Sequence, residues 1–240
     1  MKQYQLVSLQ FKTTNNYDKN LDKLLELISQ IPQQSIVVAP EVCLTGYDYE
    51  NFEEVLAFSL YAKEKIKEVS QDKIIVLTLI EKTEDGIFNF VYLFHNKEVV
   101  YKRSKVRLFK FGDEHKYMQE GSDKSLKIIE IDGIKIAFFI CFELRFKELW
   151  KASEGADVIV VPSYWGVLRK EHFRAFTQTL ALMNQCYVVA SDSANDECTK
   201  LSGIITPFGE EFRNREKEIL TLPYEPKEIK KMRRYMDIGL

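Results

Sequence analysis

Ile136-Ala137-Phe138-Phe139-Ile140-Cys141-Phe142-Glu143-Leu144-Arg145-Phe146-Lys147-Glu148-Leu149-Trp150 changes character at Cys141. An unbroken apolar run leads up to the cysteine, the pattern of a strand buried on both faces. A polar, helix-compatible run follows it. A strand that stops where a helix begins is the joint of an α/β fold. It also sets the thiol at a helix N-terminus, where the positive end of the dipole stabilises a thiolate. The stretch therefore predicts both a layered α/β domain and a reactive sulfur.

The flanking sequence extends the pattern in both directions. Residues 4–11 read as a first strand. Leu21, Leu24, Leu25 and Ile28 mark one face of a helix over 18–31, with Asp18 as its N-cap or first-turn acid and Pro32 as its end. Residues 35–39 form a short buried strand that stops at Pro40, residues 53–69 a second helix, and residues 73–80 another strand. Residues 87–95 and 98–102 read as a hairpin turning at Asn96-Lys97, and 126–131 and 134–140 as one turning at Asp132-Gly133. Beyond Cys141 come a strand at 157–161, a helix at 169–185, a strand at 186–190, and sheet-forming segments at 202–205 and 212–222. Strands and helices alternate, with hairpins inserted. The pattern predicts an α/β fold of mixed rather than purely parallel sheets, in one domain spanning 1–240 with residues 223–240 as a tail.

Composition excludes several classes of partner. The formal net charge is -2, so no overall field draws the chain to nucleic acid or membrane. No apolar stretch approaches the roughly 20 residues of a membrane helix, and Met1 to Gln5 lack the apolar core of a secretory leader. The cysteines at 43, 141, 186 and 198 form no C-x-x-C pair and have no histidine at zinc-ligand spacing, so the sequence predicts reduced thiols in a cytoplasmic protein and no metal. Lys227, Lys230, Lys231, Arg233 and Arg234 read as a solvated helix face or subunit contact, because the rest of the chain is not basic.

Three segments put a reactive side chain just past a buried strand: Glu41 after Val37-Val38-Ala39-Pro40, Lys105 within Tyr101-Lys102-Arg103-Ser104-Lys105, and Cys141. Loops at the carboxyl ends of strands gather catalytic groups in such sheets. An acid, an ammonium and a thiol brought together there make a nucleophile, its base and an oxyanion partner. Taken singly, each residue also fits a structural reading: a small buried hydrophobe, a turn acid, a surface lysine.

These segments resemble the nitrilase, or carbon–nitrogen hydrolase, superfamily over nearly the whole chain. Pro40-Glu41 with Thr45-Gly46-Tyr47 is similar to the segment of the catalytic glutamate. Tyr101 with Lys105-Val106-Arg107-Leu108-Phe109 is similar to Y-x-K-x-H-L-F, with two more residues between tyrosine and lysine and Arg107 at the usual histidine. Glu114 to Gly121 resembles E-x-x-Y-F-x-x-G, and Cys141 to Leu149 resembles C-Y-D-L-R-F-P-E-L. Residues 155–162 and 184–190 match in order too.

The resemblance implies a four-layer α-β-β-α sandwich that pairs into homodimers or higher homo-oligomers. It implies hydrolysis of a non-peptide C–N bond through a cysteine thioester, with no cofactor. By residue it implies Glu41 as general base, Lys105 as oxyanion stabiliser, Cys141 as nucleophile, the Phe142 N–H as second oxyanion donor, and Glu114 orienting Lys105 or the substrate amine. The sequence after Cys141 is nearest the omega-amidase branch, whose substrates are small linear amides releasing ammonia and a carboxylic acid. An N-carbamoyl-amide hydrolase and a catalytically silent scaffold are the alternatives. Lys147, Met183 and Lys200 depart from that branch. The loop after Val161 supplies Tyr164 and Trp165, which either line the acyl pocket or pack beneath it, and Tyr47 and Phe109 are further candidate walls. His115 and His172 lack the context of a Cys–His catalyst.

Overall fold

The computed structural model describes residues 3–240. The reading of the first residues as free of an apolar leader falls partly on Met1 and Lys2, which lie outside the described residues.

β1 (Gln5–Leu9), β2 (Ser35–Val38) and β3 (Lys73–Thr83) run parallel as neighbours. Their crossovers carry α1 (Tyr17–Ser29) and α2 (Phe52–Val69). The alternation of side chains explains the layering. Leu6, Ile36 and Ile74 sit in register and face the second sheet, while Val7, Val37 and Ile75 face Leu21, Leu24 and Ile66 on the helices. Both faces are apolar, so both must be covered, and each such side chain contributes about 1.5–3 kcal/mol by its burial.

β4 (Gly86–His95) and β5 (Glu98–Ser104) extend this sheet antiparallel to β3, and β12 (Ile219–Pro223) closes its other edge against β1. The turn between β4 and β5 holds Asn96 at φ +50° and Lys97 at φ +64°, a two-residue loop whose twist matches its strands. The second sheet runs in the order β11 (Glu211–Arg213), β10 (Gly203–Ile205), β9 (Tyr187–Asp192), β8 (Val158–Ser163), β7 (Ile134–Phe138), β6 (Ile129–Ile131), with β7, β8 and β9 parallel. α5 (Lys170–Asn184) covers its outer face with Phe173, Leu180 and Ala181. The Ser8 hydroxyl donates to Ala190 O at 2.7 Å, and the Ser191 hydroxyl donates to Leu9 O, pinning the inner faces together. The result is the four-layer α-β-β-α sandwich with two mixed sheets.

Asp18 takes the second of its two expected places, as the acid in the first turn of α1, and Asn16 is the cap: its side chain accepts the Lys19 N–H at 2.9 Å. Other expectations need correction. Residues 212–222 do not form one strand. The Asn214 carboxamide oxygen accepts the Glu216 and Lys217 N–H groups, and the turn sends β11 to one sheet and β12 to the other. The run after Cys141 is not one helix but a 3₁₀ turn, Cys141–Arg145, followed by α4 (Lys147–Trp150).

The basic stretch lies on α6 (Pro226–Tyr235), which buries Ile229 and Met232 and leaves Lys227 and Lys230 at the surface. Among the described residues, no helix is long and apolar enough to cross a membrane.

Candidate active site

Glu41 follows β2 because Pro40 lacks the N–H that would continue the ladder. Its own N–H donates to Ser163 O at 3.2 Å, so the carboxyl ends of β2 and β8 meet here. The next residue, Val42, is held at φ +44° by a hydrogen bond from its N–H to the Thr78 hydroxyl at 2.7 Å. A β-branched residue in the left-handed region is strained, at about 1–3 kcal/mol, and the fold holds that strain beside the acid.

Lys105 enters from the end of β5. Its N–H donates to Asn89 O and its carbonyl accepts from Gly121 N–H, both at 2.7 Å. The side chain is fully buried. Its ammonium donates to Glu41 Oε1 at 2.7 Å, to Glu114 Oε1 at 2.8 Å and to the Tyr47 hydroxyl at 3.3 Å. Glu114 opens the short helix α3 (Glu114–Tyr117), and its other oxygen accepts the Phe109 N–H at 3.1 Å.

Two buried carboxylates thus share one ammonium. Burial pushes the Glu41 carboxyl above its ordinary range, Lys105 pulls it down, and the charge of Glu114 pushes it up again. Lys105 is held well above the ordinary lysine range: burial opposes its charge, but Glu114 and Glu41 together outweigh it.

Cys141 stands where β7 gives way to the 3₁₀ turn, at φ +43°. It is buried, and burial followed by the charge of Glu41 drives its thiol well above the ordinary cysteine range, against the pull of Lys105 and the Tyr164 backbone N–H. The expected thiolate at a helix terminus is therefore corrected. The turn is too short to carry a strong dipole, and desolvation with a nearby carboxylate keeps the proton on sulfur. Lys105 bridges Glu41 and Glu114, and Glu114 lines one cleft with Cys141, so the four residues are neighbours.

The sulfur opens on a cleft of about 440 Å³ whose walls include Tyr47, Phe109, Glu114, Tyr164 and Arg169. Tyr164 donates its hydroxyl to Glu197 across this cleft. Trp165 behaves differently. Its indole N–H donates to Arg169 O at 2.9 Å, its ring packs on Phe173 and Phe176, and it reaches only a narrow crevice beside the sulfur. Phe142 lines the same crevice and packs against Phe109 at 5.1 Å between ring centroids.

The sequence reading missed several residues here. The Asn89 carboxamide donates to Glu41 Oε1 at 3.0 Å, and its signal was a lone amide in the apolar run of β4. Arg145 and Arg169 both line the crevice with Cys141. Arg145 lies over Trp165 and Arg169 over Phe109, and among the described residues neither pairs with a carboxylate. Burial and the neighbouring Arg169 both pull Arg145 below the ordinary arginine range. Asp192 is fully buried and ties two cleft loops together, accepting from Trp165 N–H at 2.7 Å and from Thr199 N–H at 3.0 Å.

The departures lie at the periphery. Arg107 forms a two-pronged pair with Asp123 at 2.6 and 2.7 Å, Met183 is exposed, and Lys200 pairs with Asp196 at 2.6 Å. Nothing in the structure explains Lys147. His172 contacts Arg145, and His115 is exposed.

Comparison with known proteins agrees with this architecture. Residues 4–218 match the carbon-nitrogen hydrolase family model. The chain is 27% identical over 186 residues to the 2-oxoglutaramate amidase of Bacillus subtilis, covering 72% of this chain and 71% of that one. It is 26% identical over 213 residues to the deaminated glutathione amidase of Escherichia coli O157:H7, covering 83% and 81%. Among solved structures, Saccharomyces cerevisiae Nit3, a member of branch 10 of the nitrilase superfamily, superposes with a TM-score of 0.86 at 20% identity, covering 100% of this chain and 96% of that one. That last likeness carries the fold, and the match to the family model carries the conclusion: the chain belongs to the carbon-nitrogen hydrolase family.

Proposed function

We propose that the protein hydrolyses the C–N bond of a small linear amide, releasing ammonia and a carboxylic acid through a thioester on Cys141. The observation that carries this reading is the shared ammonium of Lys105, 2.7 Å from Glu41 and 2.8 Å from Glu114, in a buried site that also holds Cys141. Relatives named as amidases support the same class.

In the first half-reaction Glu41 takes the thiol proton as the sulfur attacks the carbonyl carbon. Glu41 suits this because Oε2 is buried without a hydrogen-bond partner among the described residues. The oxyanion that forms is held by the Lys105 ammonium and the Phe142 N–H, each donor worth about 2.7–4 kcal/mol of barrier. The C–N bond then breaks. The nitrogen takes the proton from Glu41 and leaves as ammonia, and an acyl group remains on sulfur. In the second half-reaction Glu41 deprotonates a water that attacks the thioester. The C–S bond breaks, the acid departs, and the thiol regains its proton. Glu114 keeps Lys105 in place throughout.

Arg145 and Arg169 support a finer reading of the substrate. Two guanidinium groups near one another, beside the sulfur and without a carboxylate partner among the described residues, favour an anion between or above them. The substrate is then an amide whose far end carries a carboxylate. The protein acts as a homodimer or higher homo-oligomer in this reading, and exposed Leu182, Met183, Tyr235 and Met236 support a further apolar contact.

Ammonia release measured over carboxylate-bearing amides, neutral amides of equal length, nitriles and N-carbamoyl compounds tests the proposal. The expected result is turnover of the carboxylate-bearing amides, about tenfold better in kcat/KM than neutral ones, with Arg169→Gln removing that preference. Release of carbon dioxide and an amine together with ammonia would favour the carbamoyl hydrolase instead. Loss of no activity in Cys141→Ala would reject both.

A further inference from the structure

Glu143, two residues beyond the sulfur, is fully buried and makes four hydrogen bonds that reach both halves of the site. Its Oε1 accepts from Arg103 Nη1 and from the Val106 N–H, both at 2.8 Å. Its Oε2 accepts from Arg103 Nη2 and from the Ile140 N–H, both at 2.7 Å. Arg103 and Val106 flank Lys105 in the chain, and Ile140 directly precedes Cys141. Arg103 also donates to Phe138 O at 2.9 Å, at the end of β7. One carboxylate therefore joins the strand end that carries the ammonium to the strand end that carries the thiol, across the boundary between the two sheets.

We infer that Glu143 is a positioning residue that sets the distance between the Lys105 ammonium and the Cys141 sulfur. The inference rests on the amide-hydrolase reading for its catalytic consequence. A bidentate, buried Arg–carboxylate pair has a fixed planar geometry, so it holds its flanking backbone more tightly than apolar packing does. The two backbone bonds make the link specific to these positions. The Ile140 N–H bond also braces the turn into the left-handed backbone of Cys141. Asn89, on β4, and Gly121, in the loop after α3, hold the Lys105 backbone in place, and Glu143 supplies the link to the end of β7.

The variants Glu143→Gln and Arg103→Met with Glu143→Gln test this. A carboxamide accepts on one oxygen only, so one of the two backbone bonds is lost. The double variant also removes the guanidinium that the single variant would leave buried without a counter-charge. Each purified protein is measured for thermal unfolding, for kcat and KM per titratable Cys141, and for the pH dependence of Cys141 alkylation by iodoacetamide, read by mass spectrometry.

The expected result for a folded variant is a kcat lower by about 100-fold, as for a displacement of about 1 Å, with KM changed less than about threefold. The alkylation midpoint should move to higher pH, because a displaced Lys105 stabilises the thiolate less. A folded double variant with wild-type kcat and a wild-type alkylation profile would overturn the inference. Failure of both variants to fold would assign Glu143 to folding alone, and overturn it equally. If wild-type protein releases ammonia from no amide, the hydrolase reading fails, while the alkylation profile still decides whether Glu143 places Lys105 against the thiol.

Discussion

Glu41 receives the Lys105 ammonium on Oε1 at 2.7 Å and keeps Oε2 buried without a hydrogen-bond partner among the described residues. The two oxygens of one carboxylate are thus unequal. One is committed to the cation, and the other is open to a proton. A group of this kind suits a base that must collect a proton and return it within one turnover.

Replacing Lys105 with methionine should damage both stability and rate. It leaves Glu41 and Glu114 buried without their shared counter-charge, and breaking such a buried pair costs about 3–5 kcal/mol. In the proposed mechanism it also removes an oxyanion donor, which lowers kcat by about 10²–10³. Urea unfolding and single-turnover kinetics measure the two effects separately. A variant as stable and as fast as wild type would show that the ion cluster is incidental.

Tyr47→Phe is a milder probe of the same cluster. The hydroxyl accepts from Lys105 at 3.3 Å and from Asn89 at 3.5 Å, both long contacts. Its loss should reduce kcat/KM by about threefold to tenfold, in line with about 0.5–1.5 kcal/mol for an ordinary hydrogen bond, and leave the melting temperature nearly unchanged. Steady-state kinetics at saturating and limiting substrate give the answer.

With Glu41 as the proposed base, the acid limb of the pH–rate profile reports its carboxyl. Burial raises its proton affinity, so it loses its function as a base at a pH above the ordinary carboxylate range. The thiol is protonated at neutral pH for related reasons, burial first and the Glu41 charge second. Activity should therefore fall on acidification before an unperturbed glutamate would protonate, and iodoacetamide should label Cys141 slowly at pH 7 and faster in alkali. A rapid labelling rate independent of pH near neutrality would contradict this.

Asp192 gives stability a pH dependence of its own. Burial pushes its carboxyl up to about 7, against the pull of the hydrogen bonds from Thr199 and Trp165. In the unfolded chain it titrates near 3.9. The folded state then holds the extra proton between these values. The contribution is full below the unfolded pKa and is lost as pH rises through about 7. Urea unfolding between pH 4 and pH 8 should show a decline in wild type that is shallower in Asp192→Asn. Equal slopes would contradict the assignment.

Much of the fold was legible because its signals are local. Val37 and Val38 before Pro40, the turn pairs Asn96-Lys97 and Asp132-Gly133, and the helical spacing of Leu21, Leu24 and Ile28 each need only their neighbours to be read. The motifs around Glu41, Lys105 and Cys141 were legible by resemblance, while their convergence depends on the packing of two sheets that no local pattern encodes. What stayed hidden has the same origin. Asn89 matters only because β4 lies beside β3 and below Glu41. Trp165 and Tyr164 are neighbours of similar chemistry, and only the direction of the chain past Ser163 turns one into the packing and the other toward the cleft. The thiol was misjudged because the length of its turn and the burial of its surroundings are tertiary facts. The divergence of β11 and β12 depends on the turn at Asn214, which the apolar pattern alone does not show.

The central claim is that Cys141 becomes acylated during amide hydrolysis, and rapid-quench mass spectrometry addresses it most directly. Wild-type protein mixed with a turned-over amide should gain the mass of the amide less ammonia on the peptide containing Cys141. The adduct should appear and decay as an intermediate, and both adduct and ammonia release should vanish in Cys141→Ala. Ammonia release at the wild-type rate from Cys141→Ala, with no adduct in either protein, would contradict the account.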